Sequence, residues 1–377
     1  MKETIKITII HNIISPYKTL LFNELASICQ NLTILYMAET ENNRDWAVRK
    51  DLLKFPYNIL FKGSLDSVNQ LRVAVRTWKW LDILRPDVLI IGGYDHIACW
   101  ATLLWARMHK KKIIFWSSSN EDDHKRVFYK ESVKKHFIKK CNAYNVYGTK
   151  SRDYLLRLGA KKDRIFILGN NTDNSFYYNE TMTWREKRNI LSQGYGIPPN
   201  NFLYIGRFSP EKNIFHLLDA YKRIRNNNNW GLILVGNGLQ KTDIEDYINK
   251  NHIRNVFMPG FKQKDDIPRF FAVSDVLILP SISETWGLVV NEAMAAGLPV
   301  LVSKKCGCYP DIVKDNVNGF GFDPYDGTEL YDLMKEIVDS RYDLRHMGEM
   351  SLELIREYTP RTAANVVAET IEYVLQK

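Results

Sequence analysis

Cysteine is sparse in this chain of 377 residues: there are five, at 29, 99, 141, 306 and 308, odd in number and scattered. That excludes the even, regularly spaced framework of a disulfide-stapled secreted scaffold and fits a reducing, cytoplasmic setting. In such a setting the Asn-Asn-Thr sequence at 170–172, a formal glycosylation sequon, carries no meaning. Cys306 and Cys308 stand close together, but no second Cys/His pair at zinc spacing accompanies them, and they read as loop cysteines. No apolar run of membrane-spanning length stands out. The most apolar long window, 88–106, is split by GGYDH and reads as strand, loop and helix. The first residues carry charge up to Lys6, where a secretory signal would be apolar, and then read as a strand. Internal repeats and low-complexity tracts are missing too. No nucleic-acid reader motif accompanies the excess of Lys and Arg, which argues against a nucleic-acid partner.

What is present is globular. Hydrophobic residues make up 45% and charged residues 25%, and the length suits two domains, each with its own core. The net charge of +9 is unevenly placed. Through residue 180 there are 29 Lys and Arg against 18 Asp and Glu, and thereafter 23 against 25. The basic first half has clusters at HKKK (109–112), KESVKKHFIKK (130–140) and the Trp-bearing RVAVRTWKW (72–80), candidates for an anionic membrane surface or an anionic acceptor. Each cluster also reads as an ordinary solvated face.

Buried apolar runs alternate with helical patterns along the whole chain, as a parallel α/β sheet requires. ITIIHN reads as the first strand, and SPYKTLLFNELASI as the helix that follows it. NLTILYM is the second strand, 39–60 a long connection containing Trp46, and 66–84 a helix. PDVLIIGG is a strand ending at Tyr94, Asp95 and His96, where open α/β sheets bind ligands. KKIIFWSSSN is a further strand with a polar end. The polar stretch 179–200, closing on Gly194, Gly196, Pro198 and Pro199, reads as a hinge. Beyond it NFLYIGRFSPEKN is a strand running to Gly206 and a basic turn with Arg207 and Lys212, suited to phosphate oxygens or simply to capping a helix. GLILVGNGL places Gly236, Asn237 and Gly238 after another strand, and NVFMPGF holds Phe257 and Met258.

The most informative stretch is VLILPSISETWGLVVNEAMAAGLPVLVS (276–303), read as strand, loop, helix, turn and strand. Hydroxyls of SISET are expected to cap the helix, and Gly297 suits its left-handed end, with Pro299 barring continuation. Glu284 and Glu292 are eight residues apart, which puts two carboxylates about two turns apart on nearly the same helix face. A solvated pair is the bland alternative, but Glu292 sits among small and apolar residues where an unpartnered carboxylate is costly.

ETWGLVVNEAMAAGLPV resembles the Glu-x7-Glu signature of the retaining nucleotide-sugar glycosyltransferases of family 4 (group 1). Glu284, Gly287, Glu292, Ala293, Gly297 and Pro299 stand at its positions, and GRFSPEKN resembles the same family's second motif, in the right order. The resemblance implies the GT-B fold, two Rossmann-like parallel-sheet domains facing across a cleft. It divides the chain into an acceptor-binding domain at 1–178 and a donor-binding domain at 179–358, with a last helix at 359–377 returning to the first. It further implies that Glu284 contacts the donor sugar, that Arg207 and Lys212 hold the diphosphate, and that Glu292 holds the ribose. Thr285, Trp286, Gly287 and Leu288 would bring backbone N–H groups near the phosphates. Gly206, Gly236–Gly238, Phe257 and Met258 would complete the donor site. Asn170 with Asp173, and Gly307, Asp311, Asn318 and Gly319, match lesser motifs.

The first half departs from the pattern. Ser15, Pro16 and Tyr17 replace the family's Gly-Gly loop; they either start the helix or turn Tyr17 to the ligand, and both readings stay open. The His that the family usually carries near the end of the KKIIFW strand is missing, with Trp116, Ser117, Ser118, Ser119 and Asn120 in its place and His124 further along. Tyr94, Asp95, Ser117, Ser118 and Glu121 are the remaining candidates on the acceptor side. No Asp-x-Asp, the metal holder of the other main glycosyltransferase fold, occurs, so neither metal nor cofactor is expected. The implied function is retaining transfer of a sugar from a nucleoside-diphosphate donor to a saccharide or lipid-linked acceptor in bacterial capsule, O-antigen or other polysaccharide assembly, in the cytoplasm or on the inner membrane face. A non-catalytic GT-B partner subunit and a nucleotide-sugar epimerase are the competing readings.

Overall fold

The structure, a computed structural model, describes residues 5–42, 48–122, 128–224 and 229–377. Trp46 and His124 lie outside the described residues. Two compact units result. Of the described residues, the first takes in those up to Asn171, apart from Asp122, together with Pro360–Lys377; the second comprises those from Thr172 to Thr359 together with Asp122.

The first unit holds seven strands: β1 (Ile7–His11), β2 (Leu32–Tyr36), β3 (Tyr57–Ile59), β4 (Val88–Gly92), β5 (Lys112–Ser117), β6 (Ala143–Val146) and β7 (Ile165–Ile167). All are parallel, in the order β3-β2-β1-β4-β5-β6-β7. The three-residue edge strand β3 falls inside what the sequence reads as a bare connection. A strand this short has no periodicity to betray it. Right-handed crossovers put the helices Gln70–Leu84, Ile97–Met108, Phe128–Ile138 and Thr149–Arg157 on one face, where Val73, Leu103, Phe137 and Leu155 share a core with Ile91, Phe115 and Tyr144. On the other face Pro16–Ile28 lies against Pro360–Gln376, with Arg361 donating to Ser27 Oγ (2.9 Å).

The second unit is a six-stranded parallel sheet of β8 (Asn200–Ile205), β9 (Trp230–Val235), β10 (Val256–Gly260), β11 (Val276–Leu279), β12 (Val300–Ser303) and β13 (Gly319–Phe322). Its order is β10-β9-β8-β11-β12-β13. In each sheet the strand order reverses once, between β1 and β4 in the first and between β8 and β11 in the second. Open α/β sheets bind ligands at such switch points, beyond the carboxyl ends of the strands.

The division falls at Asn171, not at 178, and the expected hinge at 179–200 is not a linker. It is two helices, Asn174–Arg185 and Arg188–Tyr195, leading into β8. They are polar outside but anchored inside. Tyr177 and Thr181 are buried, and the Arg188 guanidinium bonds both Asp275 oxygens (2.9 and 2.8 Å) and the Pro199 carbonyl (2.7 Å). Removing Arg188 would strand a carboxylate already pushed up by burial.

Candidate active site

Two loops leave the switch point of the second sheet. After β8, Gly206 and Arg207 lead through Ser209 into a short 3-10 turn, Pro210–Lys212; after β11, Pro280 leads to Gly287 and the helix Leu288–Ala295. The loops are tied by backbone, since Ile282 N–H donates to the Glu211 carbonyl (2.9 Å). They are also tied by charge: Lys212 Nζ donates to Glu284 Oε2, with both side chains largely buried. The Arg207 guanidinium reaches Glu211 Oε1 (3.2 Å), which also accepts from Ser209 Oγ (2.6 Å). Burial pushes the Glu211 carboxyl up, but Ser209 and the neighbouring cations outweigh it and hold the group below its ordinary value. Both cations therefore have carboxylate partners.

Glycine makes this packing possible. A Cβ on Gly236 would lie 1.9 Å from the Gly206 carbonyl oxygen, and one on Gly238 2.4 Å from that of Phe208. The Gly236–Gly238 turn is thus pressed backbone to backbone on the turn after β8, with Phe208 N–H donating to the Asn237 carbonyl (2.8 Å). Tyr204 supports the same turn from below: its buried hydroxyl, pushed far up by desolvation, donates to the Arg207 carbonyl (2.8 Å).

The 284–292 segment differs from its expected form. The helix begins at Leu288, with Gly287 left-handed (φ 96) at its N-cap position, later than the sequence suggests. Glu284 lies ahead of the helix, and the two-turn argument for pairing it with Glu292 does not apply. What places Glu284 is the loop after β12: the Glu284 carbonyl accepts from Gly307 N–H (3.0 Å), and that of Trp286 likewise from Cys308 N–H (3.1 Å). The Trp286 indole donates to Asn291 Oδ1 (2.7 Å) and fixes the turn from inside. Thr285 is exposed and Leu288 half-buried. Glu292 is buried within the helix, contrary to the solvated alternative. Gly297 takes the left-handed position past the helix end (φ 74).

Phe257 and Met258 are half-buried on the edge strand β10. Phe257 stacks on Tyr195 (5.3 Å), whose ring also stacks on Phe270 (5.8 Å), so Phe257 faces its own unit's packing. Asn318 is buried and structural, donating to the Ile312 carbonyl (3.1 Å) and accepting from Lys314 N–H (2.8 Å).

In the first unit a cavity of about 330 Å³ opens at the β1/β4 switch point, lined by Asn12, Asp66, Gln70, Gly93, Tyr94, Asp95 and His96. Asp95 is exposed. His96 caps the helix Ile97–Met108 by accepting from Ala98 N–H (3.1 Å), and burial lowers its pKa. Ser15 is the extended N-cap of Pro16–Ile28, its carbonyl accepting from Thr19 N–H (2.9 Å); Tyr17 falls in the first turn and is half-buried. Ser117 is buried at the end of β5, Ser118 is exposed beside it, and Glu121 pairs with Arg157. Of these acceptor-side candidates, Tyr94 and Asp95 line the cavity, and Ser15, Tyr17, Ser117, Ser118 and Glu121 are not among its lining residues.

Two groups escaped the sequence reading. Glu211 looked like part of a basic turn, yet it organises Arg207. Lys18 sits three positions past Ser15 with its ammonium over the Trp116 ring (4.1 Å) and donates to the Tyr147 hydroxyl. Desolvation pushes its pKa down to about 7. No pattern in the chain marks a lysine whose neighbours come from β5 and β6.

Two Rossmann-like parallel sheets, each with a built switch point, define the GT-B class of nucleotide-dependent folds. Within the second unit, residues 188–352 match the family described as Glycosyl transferases group 1. An uncharacterised glycosyltransferase of Methanocaldococcus jannaschii is 28% identical over 200 residues, 52% of this chain and 50% of that protein. The lipopolysaccharide 1,2-N-acetylglucosaminetransferase of Salmonella typhimurium is 35% identical over 128 residues, 31% of this chain and 33% of that protein. The chain thus spans about half the length, or less, of these curated relatives. The crystal structure of Anabaena HepE in complex with UDP and glucose superposes with a TM-score of 0.75 over 98% of this chain and 100% of that one, at 18% identity. That likeness establishes the fold.

Proposed function

We propose that the protein transfers a sugar from a nucleoside-diphosphate donor to an acceptor hydroxyl, with retention of configuration and without a metal. The observation that carries this is the β8/β11 switch point, where Arg207, Lys212, Glu284 and Glu292 come from two motifs about 80 residues apart in sequence. Departure of a nucleoside diphosphate leaves negative charge on phosphate and positive charge on the sugar, so a transferase needs fixed cations at the first and an acid near the second. Lys212 and Arg207 suit the diphosphate. Glu284, held by Lys212 and by its backbone, suits the sugar, and buried Glu292 suits ribose hydroxyls. On this reading the acceptor attacks from the face the leaving group departs, and a phosphate oxygen takes its proton. The two carboxylates are not a glycosidase pair, because one is committed to a cation and the other lies in a helix interior.

The polar cavity at the first switch point suits a hydroxyl-rich acceptor, with Asp95 and Tyr94 as its contacts. A lipid-linked saccharide in bacterial surface-polysaccharide assembly, reached at the inner membrane face, is the acceptor class we favour. The lipopolysaccharide enzyme of Salmonella typhimurium and the basic first half support that choice. Among the described residues no helix is long and apolar enough to cross a membrane. Since HepE was crystallised with UDP and glucose, UDP-sugars are the first donors to test. The test is release of nucleoside diphosphate from a donor panel, with and without EDTA. Slow hydrolysis of one donor that persists in EDTA supports the reading; turnover that EDTA abolishes removes its metal-free part, and donor turnover without acceptor or hydrolysis would mark an epimerase.

A further inference from the structure

On the helical face of the first unit, the neighbouring helices Gln70–Leu84 and Ile97–Met108 pack their inner sides together in one core. Their outer sides are not the polar surfaces such helices ordinarily present to water. Leu71, Val75 and Ile83 are exposed along the first helix, Ile83 at 68%. Leu104 and Met108, at 55% and 64%, continue the stripe on the second. Apolar residues at helical spacing on two adjacent helices form a patch, not scattered exceptions.

Cations border this patch on both helices. Arg72, Lys79 and Arg107 are exposed, and the two helices together contain one acid, Asp82, whose carboxylate accepts from the Trp105 indole (2.7 Å). Trp78, Trp80 and Trp100, on the same two helices, are half-buried and pack against the core. Long cationic stems beside an apolar stripe match the interface between acyl chains and headgroups. A second copy is the poorer occupant: a two-fold contact would set this basic face against itself.

We propose that this helix pair docks the first unit on an anionic lipid bilayer, with the apolar stripe among the acyl chains and the three cations at the headgroups. The inference takes its purpose from the lipid-linked acceptor proposed above, but it stands on the surface alone. The experiment is co-sedimentation of the whole chain with phosphatidylcholine vesicles, with and without phosphatidylglycerol. The protein is expected to sediment with the anionic vesicles and to be released by salt. Arg72→Ala, Lys79→Ala and Arg107→Ala combined should weaken that binding about a hundredfold. Leu104→Asp with Met108→Asp should abolish it while the melting temperature is kept. No sedimentation of the parent chain, or binding unchanged in both variants, overturns the proposal. So does a dimer in analytical ultracentrifugation that the aspartate variant disperses. Thermal stabilisation by UDP, read on the same samples, separates the two ideas: vesicle binding without it removes the donor reading and leaves the docking surface standing.

Discussion

The two switch points of this molecule are built by the same sheet topology and filled by opposite chemistry. At the second, two loops are clamped to each other by backbone bonds, by the Lys212–Glu284 pair and by glycines that admit no side chain. At the first, the cavity is lined by neutral and acidic groups, and the cation beside it, Lys134, holds its ammonium over the Tyr94 ring (4.6 Å) and donates to the Tyr154 hydroxyl (2.8 Å). A diphosphate carries the same charge whichever sugar it bears, so a site for it is one fixed arrangement. An acceptor site must differ wherever the acceptor differs.

The largest effects should fall at the second switch point. Lys212→Ala and Glu284→Ala should each lower turnover by about a thousandfold while circular dichroism stays native, because on the proposed reading Lys212 meets the negative charge of the departing diphosphate and Glu284 the positive charge on the sugar. Arg207→Ala should cost less, since Arg207 is more than half exposed. Near-normal transfer by all three would break the comparison. Gly236→Ala tests the clamp: a methyl 1.9 Å from the Gly206 carbonyl forces the turn apart, and we expect more than about 3 kcal/mol of destabilisation in urea. Its counterpart at the first switch point is Gly93→Ala, also at positive φ (112) but with open space around it, which should cost about 1–2 kcal/mol.

Smaller effects sharpen the contrast. Asp95→Asn should raise the acceptor KM several-fold and leave donor affinity unchanged; an effect on the donor instead would move Asp95 out of the acceptor cavity. The pH dependence of stability should come partly from Lys18. Its folded pKa, about 7, lies below its ordinary 10.5, so between those values the unfolded chain binds more protons and stability rises with pH. Below pH 7 the penalty of the buried charge is fully present. Lys18→Met should therefore raise the melting temperature at pH 6 and leave it nearly unchanged above pH 10. His11, lowered to about 4 by burial and by Lys18, adds a loss of stability as pH falls from 6.5 to 4. A flat profile in Lys18→Met with His11→Gln would agree, and an unchanged slope would not.

The same contrast explains what could be read from the chain alone. Buried parallel strands announce themselves as apolar runs, and β8, β9, β11 and β12 all did. The clamp residues lie close to strand ends in sequence, so Gly206, Arg207, Lys212 and Glu284 could be picked out together. Where contacts come from afar, the reading failed. The 179–200 stretch looked like a linker because its anchor, Asp275, lies some 90 residues away. The helix after Glu284 reads as starting early because SISET offers capping hydroxyls, whereas it is the left-handed Gly287 that takes the N-cap position. Lys18 meets Trp116 and Tyr147 only once the sheet has formed.

The most direct test is thermal stabilisation of the parent chain and of Lys212→Ala by UDP, GDP and ADP in EDTA. The account predicts that one nucleotide stabilises the parent chain, by about 2.7 kcal/mol at a hundred times its Kd, and that Lys212→Ala loses most of that shift without losing its own fold. Equal stabilisation of both proteins, or none by any of the three, would contradict a diphosphate site at the β8/β11 switch point.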